Sequence, residues 1–186
     1  IEQISSGIRG VVLTDSEPLE SGSWQHVALT CDGLKLRLFV NGVMRAETSF
    51  DPAARRTTDD PFCLGGRIWS ADTSDAFKGE MAEVRVWDHA RNADSLRATM
   101  THILSGQEPG LLAYWQLQKQ VAGDIPDLAG SAPVRRNSEP TWVATDMQLH
   151  SAPQRGALEA SASGMAAALY YQQESAVSAK GTKDAP

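Results

Sequence analysis

Carboxylates are the first residues to test for chemistry. A retaining glycosidase holds two carboxyl groups roughly 5 Å apart, a spacing that one strand offers between residues two apart, whose side chains share a face. Glu80 and Glu83 are three apart, so a regular strand sends them to opposite faces, and the residue two beyond Glu83 is Arg85. That spacing favours a Glu83–Arg85 charge pair on a sheet face over an acid/base pair. The chain has no Gly-x-Ser-x-Gly elbow and no phosphate-binding glycine loop. Its histidines, His26, His89, His102 and His150, show no ligand spacing. His26, on a strand, reads as a packed structural residue, and His89 and His102, flanking a helix, read as surface residues.

Loop oxygens and aromatics are the remaining candidates. Asp59 and Asp60 lie in one polar loop, and Asp72 and Asp75 in the next. Hard oxygen ligands on loops suit calcium, although Asp in loops also forms turns by bonding its own backbone. Neither loop has the dense Asp-x-Asp-x-Asp-Gly spacing of a dedicated calcium loop. Trp69 and Arg67, beside Asp72 and Asp75, are the candidate ligand contacts, because an aromatic in a polar loop stacks on a sugar ring or anchors a protein partner. The alternative for Trp69 is to cap the end of the fold. Trp24, Trp87, Trp115 and Trp142 sit in strand-like runs and read as core or sheet-face packing.

The elements that must position these residues are mostly strands. Residues 24–31 and 34–40 read as a hairpin joined at Asp32-Gly33 and closed by Asn41-Gly42, dipeptides that tolerate the positive φ of tight turns. Leu34, Leu36, Leu38 and Val40 alternate with Lys35, Arg37 and Phe39, the period of a sheet with one buried side. Residues 8–14, 43–48, 61–66, 80–88 and 111–117 read as further strands, and 141–149 as a weaker one. One helix is signalled by Asn92 as N-cap, Asp94 in the first turn and Gly106 beyond the last periodic residue, with Leu96, Met100, Ile103 and Leu104 as its stripe. From about residue 150 the composition turns to Ala, Ser, Gln and Gly. Residues 150–186 therefore read as a tail or linker, with a candidate helix over 157–173 carrying Leu158, Met165 and Leu169. The whole reads as all-β, an antiparallel β-sandwich or jelly roll with one short helix.

Bulk properties narrow the partners. A net charge of −6 and a pI near 5.2 argue against a nucleic-acid surface. Arg55-Arg56 and Arg135-Arg136 read as solvated loop charges. No apolar run reaches the length of a membrane-spanning helix, so no membrane insertion is expected. A chain that opens on Ile1, with neither Met nor a signal pattern, reads as a processed chain or a fragment. Two cysteines, Cys31 and Cys63, are too few for a disulfide scaffold or a cysteine zinc site, which leaves buried free thiols or a single bridge. None of Asn41, Asn92 and Asn137 begins a glycosylation sequon.

Several motifs also fall in a meaningful order: Trp24 to Gly33, Leu36 to Gly42, Leu64-Gly65-Gly66, Phe77 to Trp87, then the Asn92 helix. Over roughly residues 8–104 this series resembles the C-terminal half of a laminin G-like domain of the concanavalin A-like lectin/glucanase superfamily. The resemblance implies a jelly-roll sandwich, 1–149, that binds a glycan or a protein surface, sometimes with calcium, within a larger extracellular or cell-surface protein. It implies other domains of that parent protein as partners. It also brings a second reading, a structural spacer or assembly module, and a disfavoured third, a glycoside hydrolase-like domain. The superfamily's hydrolases carry Glu-x-Asp-x-Glu, whereas this chain has Glu83-Val84-Arg85-Val86-Trp87, with Arg85 where a second carboxylate is needed. No enzyme activity is expected. Few residues precede Trp24, while residues 111–117, Asp127 to Gly130 and Trp142-Val143 are similar to segments that open such a domain. Residues 111–149 are thus expected either to complete the sandwich or to begin a second copy.

Overall fold

The computed structural model describes residues 6–8, 11–13, 17–49, 51, 53, 62–65, 77–118, 124–134, 140–144, 147–151 and 163–173. These form, in order, β1 (Ser6–Ile8), β2 (Val11–Leu13), β3 (Gln25–Cys31), β4 (Lys35–Val40), β5 (Val43–Ser49), β6 (Gly79–His89), α1 (Ala93–Thr99), β7 (His102–Ile103), β8 (Leu111–Trp115), β9 (His150–Ser151) and β10 (Ser163–Gln173). The main sheet runs β5-β4-β3-β10-β6-β8, and each neighbouring pair is antiparallel. β1 and β2 form a hairpin whose β2 lies against β4 and β5, and β7 pairs with β9 in parallel.

The hairpin chemistry works as its dipeptides require. Asp32 accepts from the amides of Leu34 and Lys35 at 2.9 and 2.8 Å, and Gly33 takes φ +93°. Asn41 and Gly42 take φ +50° and +71°, both positive as a two-residue hairpin turn demands. Val27, Leu36 and Leu38 are buried together on one face, with Leu29, Ala46 and Phe77 against them. The opposite face is not solvated where β4 ends. There Phe39 packs with Ala28 and with Leu96 of α1. Burial of Leu96 contributes about 2 kcal/mol to docking the helix. Leu34, by contrast, is 69% exposed, because it sits in the turn before β4 begins.

α1 starts where expected, with Asn92 Oδ1 accepting from the Ser95 amide at 2.8 Å. It ends at Thr99, earlier than the stripe implies. Ile103 belongs to β7, and Leu104 packs with Trp87, Leu111 and Tyr114 instead of continuing the helix. Of the expected strand at 61–66, residues 62–65 are described and are not a strand. Gly65 turns at φ +78°, and Phe62 stacks on Trp115 with centroids 6.0 Å apart. Of the weaker strand expected at 141–149, the described residues 141–144 and 147–149 are not a strand, and the two-residue β9 lies just beyond it.

The largest correction concerns the tail. Residues 163–173 are neither helix nor linker: they form β10, paired with β3 on one side and β6 on the other. Met165 and Leu169 are four apart and mimic a helical stripe, but Ala is compatible with either state and Tyr170-Tyr171 favour a strand. Backbone partners on both sides decide the outcome, a tertiary override of local propensity.

β8 pairs with β6, so residues 111–115 lie in the same sheet as the hairpin. On the far side of β8, the Tyr114 amide donates to Asp127 Oδ1 at 2.9 Å and the Leu128 amide donates to the Tyr114 carbonyl at 2.8 Å. Asp127 also accepts from the amides of Ala129, Gly130 and Ala132. Those four amides hold its carboxyl below the usual carboxylate range against an opposing burial effect. Trp115 Nε1 donates to the Ala132 carbonyl at 2.8 Å.

Candidate functional site

A cleft of about 390 Å³ opens where the start of β3, the β4–β5 turn, the end of α1 and the chain before β9 converge. Ser23, Trp24 and His26 come from the first of these, Asn41 from the turn, Met100 and Thr101 from the helix end, and Met147, Gln148 and Leu149 from the last. The turn is fixed to β3 by a reciprocal pair: the His26 amide donates to Asn41 Oδ1 at 2.9 Å, and the Asn41 amide donates to the His26 carbonyl at 2.8 Å. Arg97 of α1 donates to the Gly42 carbonyl at 2.8 Å, locking the helix to the same turn. The wall at 147–149 is anchored by the His150 amide donating to the Thr101 carbonyl at 2.8 Å and by the β7–β9 ladder.

The electrostatics of this cleft are neutral. His26 is buried, and burial first, then the nearby Arg85 and Arg91, lower its pKa to about 3. It is therefore an uncharged imidazole at neutral pH. The other polar groups on the lining are amides and hydroxyls, from Asn41, Gln148, Ser23 and Thr101. No carboxylate is among the described lining residues. An indole, two thioethers and a leucine supply the apolar surface. The volume falls within the range of about 300–1,000 Å³ typical of small-molecule sites.

Glu83, the carboxylate closest in type to a catalytic one, lies elsewhere and is sealed. It is 3% exposed and takes φ +57° at a bulge of β6 against β10. Arg85 Nη2 donates to Glu83 Oε2 at 2.9 Å, and the Tyr114 hydroxyl donates to the same oxygen at 2.6 Å. The Glu83–Arg85 pair expected from the two-residue spacing is thus present, and it is buried. Arg85 also donates to the carbonyls of Thr99, at 2.9 Å, and His102, which ties β6 to the end of α1 and to β7. Burial, then Glu83, pushes the Tyr114 hydroxyl up to about 12. A carboxylate held by a guanidinium and a phenol away from solvent ties these strands together.

Arg67, Trp69, Asp72 and Asp75, and the calcium candidates Asp59 and Asp60, lie outside the described residues. His89 is not a surface residue: its side chain is 12% exposed, with Nδ1 2.7 Å from Asp88 Oδ1. His102 is half-buried beside His150, their ring centroids 6.1 Å apart. Cys31 and Cys63 are each half-buried and are not joined in a disulfide. Trp24, read as core or sheet-face packing from its strand-like run, is half-buried on the cleft. Its signal was its position, one residue before β3 begins and next to Ser23 and Gly22, where a strand opens from a loop.

The sequence pattern of the laminin G family, described as the concanavalin A-like lectin/glucanases superfamily, matches residues 2–97, just over half of the 186. The chain belongs to the concanavalin A-like lectin/glucanase superfamily. The match spans β1 through most of α1 and includes Trp24, His26 and Asn41 of the cleft. The antiparallel, strand-dominated architecture with one short helix fits that β-sandwich. Laminin G-like domains are in general carbohydrate- or protein-binding modules, non-catalytic and typically extracellular. No helix among the described residues is long and apolar enough to cross a membrane. None of the curated proteins or solved structures matches this laminin G-like chain.

Proposed function

We propose that this laminin G-like chain is a non-catalytic binding module that takes a neutral carbohydrate in the Trp24 cleft, within a larger extracellular or cell-surface protein. The observation that carries the reading is the cleft's lining: an indole beside amides and hydroxyls, with its imidazole neutral and no carboxylate among the described lining residues. Sugar rings offer an apolar face to an aromatic and hydroxyls to amides, and they need no counter-charge. The sealed state of Glu83 supports a binder over a hydrolase.

A glycan array, run with and without calcium on the chain and on Trp24→Ala and Trp69→Ala, tests the reading. Neutral glycans should bind, and Trp24→Ala should weaken them about tenfold, the equivalent of roughly 1.4 kcal/mol. A loss confined to Trp69→Ala, or a requirement for calcium, moves the site to the 59–75 loops. No binding under any condition favours the spacer or assembly reading.

A further inference from the structure

β3 and β6 lie on either side of β10 and are not neighbours of one another. Residues Met165 to Tyr171 pair with β3, and Ser163 to Gln173 with β6. Without β10 both strands present unpaired amides and carbonyls in the middle of the sheet, a costly arrangement for buried backbone. Those edges require a strand, and main-chain groups do not distinguish whose strand fills the place. β3 and β6 lie inside the family-matched residues 2–97, while β10 lies outside them.

The sequence of β10, Ser-Gly-Met-Ala-Ala-Ala-Leu-Tyr-Tyr-Gln-Gln, has no charged residue and no proline, so nothing in it restricts which copy's β3 and β6 it pairs with. It is reached from β9 through residues 152–162, which are mostly small or polar. We propose that β10 is an exchangeable strand, and that a second copy of this chain donates its residues 163–173 into the β3–β6 slot to form a reciprocal dimer. Such an exchange reuses every main-chain bond of the monomer, so its cost is that of joining two chains. A connector of this length holds its own strand at an effective concentration on the order of millimolar. The monomer is therefore favoured in dilute solution, and exchange takes over when copies fold together near that concentration. The proposal is independent of the cleft and of what it binds.

The register supplies a direct test. Met165 is the Cα partner of Cys31, and antiparallel partners stand about 4.5–5.5 Å apart, within disulfide reach. The full chain carrying Met165→Cys and Cys63→Ser is prepared unlabelled and ¹⁵N-labelled. The two are mixed, unfolded under reduction, refolded at about 1 µM and about 1 mM to straddle the effective concentration, then oxidised. Mass spectrometry reads the linked 31–165 peptides. The expected result is same-label links in monomer from the dilute sample, and at least tenfold more mixed-label links, in dimer, from the concentrated one. Same-label links alone at both concentrations overturn the exchange. A folded chain with no 31–165 link overturns the strand placement and the proposal with it. If Met165→Cys prevents folding, the Ala28→Cys/Ala168→Cys pair, also Cα partners, is judged by the same outcomes in a Cys31→Ser/Cys63→Ser background.

Discussion

Acidification should destabilise this protein, and His26 carries a separable share of the loss. Its imidazole is buried, and burial followed by the fields of Arg85 and Arg91 lowers its pKa from 6.5 to about 3. The unfolded chain, with an ordinary histidine, binds a proton below about pH 6.5, which the folded chain refuses until about pH 3. Between those limits the unfolded state holds more protons, so stability rises with pH and is lost as pH falls. The slope is roughly 1.4 kcal/mol per pH unit, so moving from pH 7 to pH 4.5 removes about 3 kcal/mol. That is a large share of a typical stability of about 5–15 kcal/mol. Urea unfolding of the chain and of His26→Gln at both pH values isolates the effect. Asp32, Glu47, Glu108 and Asp127, all with lowered carboxyl pKa, are common to both chains and cancel. The native midpoint should fall by about 1 M more than the variant's, for a urea m-value of about 2–3 kcal/mol/M. Losses that agree within about 0.5 kcal/mol would refute the burial argument.

Two further perturbations probe the core and the hairpin. Arg85→Met leaves Glu83 buried with a phenol as its remaining named partner and should cost about 3–5 kcal/mol, whereas Glu83→Leu/Arg85→Met should recover at least half of that. Thermal melts of the two variants decide it, and equal losses would show that the pair is not coupled. Gly42→Ala forces a side chain into φ +71° and sets a Cβ 2.3 Å from Arg97 Cγ, for a cost of about 1–2 kcal/mol. Adding Arg97→Ala should relieve the steric part, read as non-additivity in a double-mutant cycle.

What the sequence revealed was local. Asp32-Gly33 and Asn41-Gly42 fix a hairpin within a few residues, and Asn92 starts a helix by a bond to Ser95. Glu83 and Arg85, two apart on one strand, were legible as a pair, but the Tyr114 hydroxyl that completes the cluster sits 31 residues away. β10 was misread because its state is set by β3 and β6, far back in the chain, and not by its alanines. The cleft was missed for the same reason. Trp24 and Asn41 meet Thr101 and Gln148 only after the sheet, the helix and the β7–β9 ladder are in place. The loop residues that looked most ligand-like, Trp69 among them, stood out by residue type alone, which says nothing of what they face.

The Asp127 turn has a consequence for crowded surroundings. β8 is one of the two edge strands of the main sheet, a place where a neighbouring molecule's strand would attach and begin a ribbon. There both main-chain groups of Tyr114 are already taken by Asp127 and Leu128, and Gly130 backs onto the Leu112 carbonyl so closely that a Cβ would lie 2.6 Å from it. A single carboxylate, by gathering four amides, folds the following loop into a bumper along that flank. Copies of this domain strung in tandem or packed on a surface can therefore touch there without fusing into a continuous sheet.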